Sequence, residues 1–483
     1  MHPRLSSEPV ITVHDLAFAA SRSSEDETEP LDQGLLQDAS ARDDKTKLRR
    51  LGFSFFLFGL INNVLYVIIL SAALDLVPPS TPKGIIAFCN IAPALVAKIG
   101  WPYLLKGRIR YSKRLLGCCS LSSIGMLVVA FFDSLYARLL GICLASFSSG
   151  LGELTFLQLS TTYAPTSIAG RCIGYFASGT GAAGLVGAFL WWEVRGLGVR
   201  VGVGLSSVLP LVIPLTFFLL LPPNDAFLYT SLPVGEGSST MPYTPLATND
   251  DDEAEEGRLP VEFKAAPALS ISDKWRLVKP LLAKYMLPLF CVYLFEYTIN
   301  QGIAPTLLYP VPPAEKYWLL SKIIHSVRDY YPLWQLVYQT TVFLSRSSIS
   351  LGLPPLPEKL LPLPAIAQGI ILSLLVYESA VGFAADEFEA TNITIVFALI
   401  SLEGICGGLA YVNTFYRINE EQPDPGSDAH DAERIKQERE FKIGSIGFAD
   451  SSGILLASLV AVPTELTLCK AQVNRGKLLC KGL

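Results

Sequence analysis

The chain has 483 residues, of which 51% are hydrophobic and only 17% are charged, whereas about a quarter of residues are charged in soluble proteins. Its mean hydropathy is +0.41, and successive apolar segments approach the ~20 residues that a helix needs to cross a bilayer. These values exclude an ordinary soluble domain and predict an all-α, polytopic membrane protein, whose first partner is the lipid bilayer. The net charge of −5 is carried by tails and loops, and we expect no nucleic-acid partner.

A polar tail precedes the first membrane span. Residues 1–50 are rich in Ser, Asp and Glu and lack the apolar core of a signal peptide, which predicts a disordered tail. The first span follows at Leu51–Ala73 and carries a polar patch that includes Asn62 and Tyr66. Basic residues directly before this span place the N-terminus in the cytoplasm by the positive-inside rule.

The second span, Ile85–Leu105, contains Lys98, roughly 10 Å from the end of the span at 1.5 Å per residue. This lysine either extends to the cytoplasmic surface or lines a pathway. A basic loop, residues 106–114, follows and must be cytoplasmic. Its position between helices two and three loosely resembles the signature loop of major facilitator transporters, although it lacks the acidic residue of that signature.

Spans three to six are predicted at Leu115–Phe132, Ala137–Ser160, Ile173–Trp192 and Val203–Leu221. The fourth span carries an intramembrane carboxylate, Glu153. The fifth contains a Gly-x-Gly-x-x-Gly sequence at residues 179–184, but it lies within an apolar helix instead of after a strand, which excludes a dinucleotide site. Its small residues predict close packing between helices.

Residues 222–280 form the longest break between apolar segments. They are rich in Pro, Ser and Gly, and they contain an acidic run at residues 249–256. We predict a disordered cytoplasmic loop that separates an N-terminal six-helix bundle, residues 51–221, from a C-terminal bundle, residues 281–463. Tyrosine-based and dileucine-like sorting patterns in this loop and in the tail indicate a vacuolar or endosomal address. Both segments are therefore candidate sites for trafficking adaptors.

The seventh span, residues 283–303, places three polar side chains on one helical face, Tyr293, Glu296 and Asn300. A carboxylate in hydrocarbon costs about 3 kcal/mol on insertion scales, so it persists only where it faces a bundle interior, a partner or an aqueous cavity. This placement predicts a substrate or ion pathway. The alternative is a neutral glutamate that joins two helices by a hydrogen bond.

The last four spans are predicted at Tyr331–Ile349, Leu361–Phe383, Ile395–Phe415 and Ile443–Val462. The eighth span is amphipathic, which suits the wall of an aqueous cavity; its polar stripe consists of Tyr331, Gln335, Gln339 and Arg346. A short interfacial helix is predicted before it, within residues 305–329. Span ten carries Glu403, and span eleven carries Asp450, to which we assign no role.

Eleven spans and a cytoplasmic N-terminus place the C-terminal tail, residues 464–483, in the lumen. The N-glycosylation sequon at Asn392 lies between spans nine and ten and falls on the same side, so we predict a glycoprotein. Cys480 stands where a prenylation cysteine would stand. The aliphatic residues of that motif are missing, and prenylation would require a cytoplasmic tail, so we reject it.

The cysteine and histidine content argues against a metal centre or a cofactor. Nine cysteines and four histidines are scattered along the chain, with no metal-ligand spacing and no disulfide framework. We interpret the cysteines as small apolar packing residues. Because no nucleophile–base pair is visible either, we expect no cofactor, no metal and no enzymatic activity.

The membrane segments together resemble the battenin family of lysosomal and vacuolar membrane proteins linked to Batten disease. The motifs that carry the resemblance are Phe58–Val67, Pro93–Lys98, Gly150–Phe156, Ser178–Gly184, Glu296–Gly302, Tyr338–Gln339, Ser345–Ser348 and Glu403–Thr414. The resemblance implies a major-facilitator-like fold of two bundles and a place in the lysosomal or vacuolar membrane. It also implies roles in organelle pH balance, in transport of basic amino acids such as arginine, and in clearance of glycerophosphodiesters.

By analogy with facilitators, helices one, four, seven and ten line a central cavity. The residues expected to converge there are Glu153, Glu296, Glu403, Asn62 and Tyr66. We expect a proton-linked carrier of small polar solutes. In such a carrier Lys98 and Arg346 would hold an anionic phosphodiester, or the three carboxylates would hold a cationic amino acid.

Two other functions remain open. One is an equilibrative nucleoside-type carrier, which also has about eleven spans, and competition by nucleosides would identify it. The other is a membrane organiser of vacuolar or endosomal trafficking that transports nothing and recruits partners through residues 1–50 and 222–280. Deletion of these two segments would abolish the function of an organiser, whereas charge-neutral substitutions in the membrane core would leave it unchanged.

Overall fold

The computed structural model describes residues 29–72, 84–104, 109–227, 269–313, 315, 318–383, 389–421 and 432–482. All regular elements in these ranges are helical. Eleven long helices coincide with the eleven predicted spans, which confirms the all-α fold class. They are α1 (Glu29–Ser71), α2 (Gly84–Leu104), α3 (Tyr111–Phe131), α4 (Leu135–Ser160), α5 (Thr166–Arg195), α6 (Gly198–Leu220), α7 (Ile271–Thr306), α8 (Tyr330–Arg346), α9 (Leu363–Ala380), α10 (Glu389–Glu420) and α11 (Ala432–Asn474).

Nine of these helices, counted over the described residues, are long and apolar enough to cross a membrane. The other two are α2 and α8. Helix α8 has only 17 residues and carries the polar stripe noted above, which lowers its mean hydropathy. By internal contacts the chain divides into residues 1–50 and residues 51–483, and the packing described below lies within the second unit.

Several helices extend beyond the predicted spans. Helix α1 begins at Glu29, inside the segment predicted to be a disordered tail, and α7 begins at Ile271, inside the predicted loop. A capping box starts α7, because the Ser270 hydroxyl accepts from the backbone N–H of Asp273 and the Asp273 carboxylate accepts from the N–H of Ser270. A helix can continue from the bilayer into water, because each further residue gains one backbone hydrogen bond. Hydropathy therefore predicts where the bilayer ends, but not where the helix ends. The acidic run at residues 249–256 lies outside the described residues.

The interfacial helix predicted within residues 305–329 is shorter than expected among the described residues. The chain forms a four-residue α-helix, Trp318–Ser321, and a separate 3-10 turn, Val327–Asp329. The Asp329 carboxylate accepts from the backbone N–H groups of His325 and Ser326, both at 2.8 Å. These donors hold the pKa of Asp329 below its usual value, and they close a cap that starts α8 instead of continuing the earlier turn.

The helices pack as two bundles, α1–α6 and α7–α11. Within the first bundle α4 packs on α2 and α3, and within the second α10 packs on α8 and α9 while α11 packs on α7. The bundles meet where α11 packs on α2 and where α8 and α10 pack on α5. This two-bundle arrangement agrees with the predicted architecture and leaves a buried polar layer between α2, α4, α5, α7, α8, α10 and α11.

Close packing of α1 on α5 explains the glycine-rich sequence at residues 179–184. A Cβ added at Gly179 would collide with the backbone carbonyl of Phe56, and a Cβ at Gly59 would collide with the carbonyl of Phe176. The two helix backbones therefore approach each other through glycine on both sides. This sequence is a helix contact, as predicted, and it lies within a continuous helix.

Hydrogen bonds join the two bundles at one end, which we call the basic end and define as the end where α2 finishes and α3 begins. Tyr111 donates to the Glu440 carboxylate at 2.6 Å. Lys274 Nζ donates to the carbonyl of Pro102 at 2.9 Å. Asn419 in α10 donates to the α5 backbone at 3.2 Å. The conformation is therefore closed at the basic end.

Candidate substrate site between the two bundles

A buried lysine forms an ionic group that joins the bundles. Lys98 in α2 lies 2.7 Å from the Glu153 carboxylate of α4 and 3.1 Å from the Asp450 carboxylate of α11. The side chain of Tyr411 in α10 donates to Glu153 at 2.7 Å. Lys98 is only 4% exposed, so it does not extend to the membrane surface. One cation is shared by two carboxylates, which leaves this group with a net formal charge of −1.

Arg346 lies beside this group without a carboxylate partner. Its guanidinium donates to Thr180 of α5 at 2.8 Å and to the hydroxyl of Tyr293 of α7 at 2.9 Å. It lies over the ring of Tyr411, 4.4 Å from the centroid, which is a cation–π geometry. Over the described residues, no carboxylate lies within 4.0 Å of it, and its buried Nε has no hydrogen-bond partner. Arg346 is therefore a cation held by neutral groups from both bundles.

Glu296 in α7 is 1% exposed, and only one of its two carboxylate oxygens has a hydrogen-bond partner. One carboxylate oxygen accepts from Tyr338 of α8, and the other lies against Gly407 of α10 without a hydrogen-bond partner. A side chain at position 407 would fill the space that this oxygen occupies. The glycine thus permits the close approach of α7 to α10 around a buried carboxylate.

Glu403 in α10 lies in the interior of the second bundle. Asn300 donates to its carboxylate at 2.9 Å, and Gln335 of α8 donates to the Asn300 side-chain oxygen at 3.0 Å. Asn300 belongs to a π-helical turn, Ile299–Ile303, a distortion that frequently occurs at functional sites. Like Glu296, Glu403 has one oxygen without a partner.

The three remaining predicted site residues lie on the walls between helices. Asn62 of α1 donates to the backbone of Ser149 in α4 at 3.0 Å, and with Tyr66 it lines a cavity of about 10 Å³, room for about one water. Gln339 of α8 packs against Gly184 of α5.

The structure places the predicted residues in separate hydrogen-bonded groups. Glu153 belongs to the ionic group with Lys98, Glu296 and Glu403 bond to Tyr338 and Asn300 of the second bundle, and Asn62 bonds within the first. Lys98 is satisfied by two carboxylates, so of the two cations predicted to hold an anionic group, Arg346 is the one that has no carboxylate within 4.0 Å among the described residues.

Four residues of this site received no role from the sequence: Asp450, Tyr411, Thr180 and Tyr338. Asp450 carried a usable signal, because it is a carboxylate within an apolar span. The hydroxyl groups carried none, since Tyr and Thr are common in membrane helices and only the fold places them near a charge.

Asn392 lies in the first turn of α10, and its side chain is 5% exposed. The amide that would accept a glycan is therefore covered in this conformation. Glycosylation of Asn392 stays a prediction.

Two helical bundles that meet at α2–α11 and α5–α8 around a buried polar layer define a major-facilitator-like membrane protein. In agreement, the crystal structure of the human organic anion transporter MFSD10 (TETRAN) is similar to this chain, with a TM-score of 0.50 and 13% sequence identity, covering 90% of this chain and 99% of that one. At this identity the likeness concerns the fold alone.

The chain belongs to the CLN3 protein family, whose model matches residues 53–471. It is 46% identical to Protein BTN1 of Mycosarcoma maydis over 89% of this chain and 88% of that protein. It is 45% identical to Protein BTN1 of Cryptococcus neoformans, over 90% and 96%. The resemblance to battenins inferred from the motifs is confirmed, and the chain is a multi-pass membrane protein with a major-facilitator-like fold.

Proposed function

We propose that this chain is a proton-linked carrier that moves small polar solutes across a vacuolar or lysosomal membrane. The observation that carries the proposal is Arg346, a partly buried cation between the bundles that is held by Thr180 on one side and by Tyr293 on the other. A charge with no ion-pair partner in direct contact is costly in a membrane interior and marks a substrate or ion pathway. Rocking of the two bundles about this residue would expose it to each side in turn.

The solute that fits this site carries an anionic group. A guanidinium recognises a carboxylate or a phosphodiester through paired N–H donors, and the free Nε of Arg346 is one such donor. A glycerophosphodiester would use this contact alone. A basic amino acid would place its carboxylate on Arg346 and its cationic group near Glu296, whose second oxygen has no partner.

Proton linkage would reside in Glu296. Its carboxylate is buried, has no cation within 4.0 Å among the described residues, and has Tyr338 as its one hydrogen-bond donor. Binding of a proton would remove a charge that is expensive to bury, and its release would restore that charge. Substrate binding at Arg346 and protonation of Glu296 would then change the charge of the same buried layer in opposite directions.

The test is solute flux into proteoliposomes under an imposed pH gradient. Arginine, lysine and glycerophosphodiesters are offered separately, with nucleosides as competitors. We expect saturable, gradient-dependent flux of one solute class, lost in Glu296→Gln. The matched control is Glu378→Gln, which also removes a buried carboxylate of the second bundle but lies at the end of α9, bonded to Tyr309.

Two results would contradict the proposal. Normal, equally pH-dependent flux in Glu296→Gln would remove the role of this carboxylate. Absence of flux above empty liposomes for every solute would favour the organiser function, in which residues 1–50 and 222–280 recruit trafficking adaptors. A role in organelle pH homeostasis follows from the proposed proton linkage and would fail together with it.

A further inference from the structure

A disulfide closes the end of the last helix. Of the nine cysteines, seven are free thiols, whereas Cys469 and Cys480 are bonded, with Cα atoms 5.7 Å apart. Cys469 belongs to the last turns of α11, and Cys480 belongs to the 3-10 turn Leu478–Gly482. Between them the chain reverses at Gly476, whose φ of +96° favours glycine. The interpretation of all nine cysteines as apolar packing residues is therefore wrong for Cys469 and Cys480, whose spacing along the chain gives no sign of a bond.

The turn that carries Cys480 covers the end of α7. Leu479 and Cys480 pack against the buried apolar cluster that contains Tyr309 and Tyr330. Lys477 Nζ lies over the ring of Tyr309, 4.7 Å from its centroid. Tyr309 in turn donates to the buried Glu378 carboxylate at 2.7 Å. Apolar packing and a cation–π contact therefore hold the turn against this cluster.

Three helices are joined directly beneath this turn. Gln472 of α11 is 1% exposed, and its amide donates to the carbonyl of Thr306 at 2.8 Å and to the hydroxyl of Ser379 at 2.9 Å. The hydroxyls of Thr306 and Ser379 also bond to each other at 2.7 Å. The ends of α7, α9 and α11 thus share one buried polar cluster that the turn covers.

We propose that the Cys469–Cys480 disulfide forms in the organelle lumen and fastens this turn as a clasp over α7, α9 and α11, so that the lumenal end of the second bundle moves as one body. Disulfides persist in oxidising compartments and are rare in the cytosol. Independently, the basic residues before α1 assign the start of that span to the cytoplasm, and eleven spans then place the end of α11 on the lumenal side. The clasp does not depend on which solute is carried.

The chemistry of clasp formation is thiol–disulfide exchange. The two thiols lose two protons and two electrons, the S–S bond forms, and the electrons pass to a disulfide of a secretory-pathway oxidoreductase, which leaves as a dithiol. Exchange requires access to that lumenal partner. A C-terminal tail in the reducing cytosol would leave both cysteines as thiols.

Mass spectrometry of the full chain in native organelle membranes tests the bond. Thiols are blocked with N-ethylmaleimide under denaturing, non-reducing conditions before digestion. We expect a Cys469–Cys480 cross-linked peptide that disappears on reduction, while Cys291 is alkylated without reduction. Recovery of Cys469 and Cys480 as alkylated thiols, or of an isoprenoid on Cys480, would overturn the proposal.

The lumenal position is tested with a membrane-impermeant reductant and maleimide on sealed organelles. We expect labelling of Cys469 and Cys480 only after the membrane is permeabilised. Labelling of both in sealed organelles would place the turn in the cytoplasm and refute the lumenal assignment.

Thermal unfolding and hydrogen exchange test the clasp itself. Reduction should lower the Tm of the wild type by a few degrees and speed amide exchange around Leu307 and Tyr309. Cys480→Ser should start at the lower Tm and no longer respond to reductant, whereas Cys291→Ser should behave as the wild type does. If mass spectrometry finds the disulfide but its reduction changes neither the Tm nor the amide exchange, the disulfide does not stabilise the contact between the turn and the helices.

Discussion

Substitution of Lys98 by methionine is the sharpest test of the ionic group between the bundles. Lys98 compensates two carboxylates, the partly buried Glu153 at 2.7 Å and the buried Asp450 at 3.1 Å. Removal of one partner from a buried ion pair costs about 3–5 kcal/mol, because the remaining charge stays buried. Here two charges remain. With on the order of 2 °C per kcal/mol for a large domain, we expect the Tm of Lys98→Met to fall by about 6–10 °C in detergent or nanodiscs.

Asp450→Asn should cost far less, although it removes a member of the same group. Lys98 keeps Glu153 as its counter-ion, and the new amide can still accept a hydrogen bond, so we expect a loss of about 1 kcal/mol. Because Lys98→Met/Asp450→Asn removes one of the two uncompensated charges, it should recover part of the stability lost in Lys98→Met. The two substitutions should therefore be non-additive, as expected for residues in contact.

Lys284 provides a matched control. It also contacts two carboxylates, those of Glu358 and Glu421 at 3.2 Å and 3.0 Å, but its side chain is 38% exposed. Water screens such pairs, and their net contribution is about 0–1 kcal/mol. Equal losses of Tm in Lys98→Met and Lys284→Met would refute the argument from burial. An Asp450→Asn variant as unstable as Lys98→Met would refute the shared-cation arrangement.

Three further outcomes follow from the packing and the site. Gly179→Ala should lower the Tm through a collision with the α1 backbone, at about 1–3 kcal/mol, whereas Gly117→Ala, where nothing lies within 4 Å, should be neutral or stabilising. Arg346→Lys keeps the charge but loses the forked donors; solute flux should fall about 10-fold, equivalent to 1.4 kcal/mol, with little change in Tm. Tyr111→Phe removes the bond to Glu440 and should speed amide exchange at the start of α11; unchanged exchange would show that this bond does not hold the basic end closed.

The positions of the membrane spans could be predicted from the sequence because hydropathy is a local property. A window of about 20 apolar residues has one stable arrangement in a bilayer, a helix that satisfies its own backbone. Helix ends were less predictable. Helices α7 and α11 begin at Ile271 and Ala432, within charged sequence that hydropathy assigns to loops, since water tolerates a polar helix as readily as it tolerates a loop.

The candidate site, too, could be predicted only in part from the sequence. Glu153, Glu296, Glu403 and Arg346 stood out because a charge in an apolar span is expensive wherever it lies. The sequence could not tell which of them are neutralised, since that depends on contacts between distant helices. Glu403, predicted beside a central cavity, is bonded to Asn300 inside one bundle.

The sequence by itself determined that this chain is a helical membrane protein, where it crosses the bilayer, and which buried charges need an explanation, because each of these depends on the cost of placing a residue in hydrocarbon. Only the tertiary structure decided which partner meets each charge. Lys98 and Asp450 are 352 positions apart, and Cys469 meets Cys480 through a turn that no spacing rule specifies. Coulombic and covalent partners are selected by distance in space, and the fold alone sets that distance.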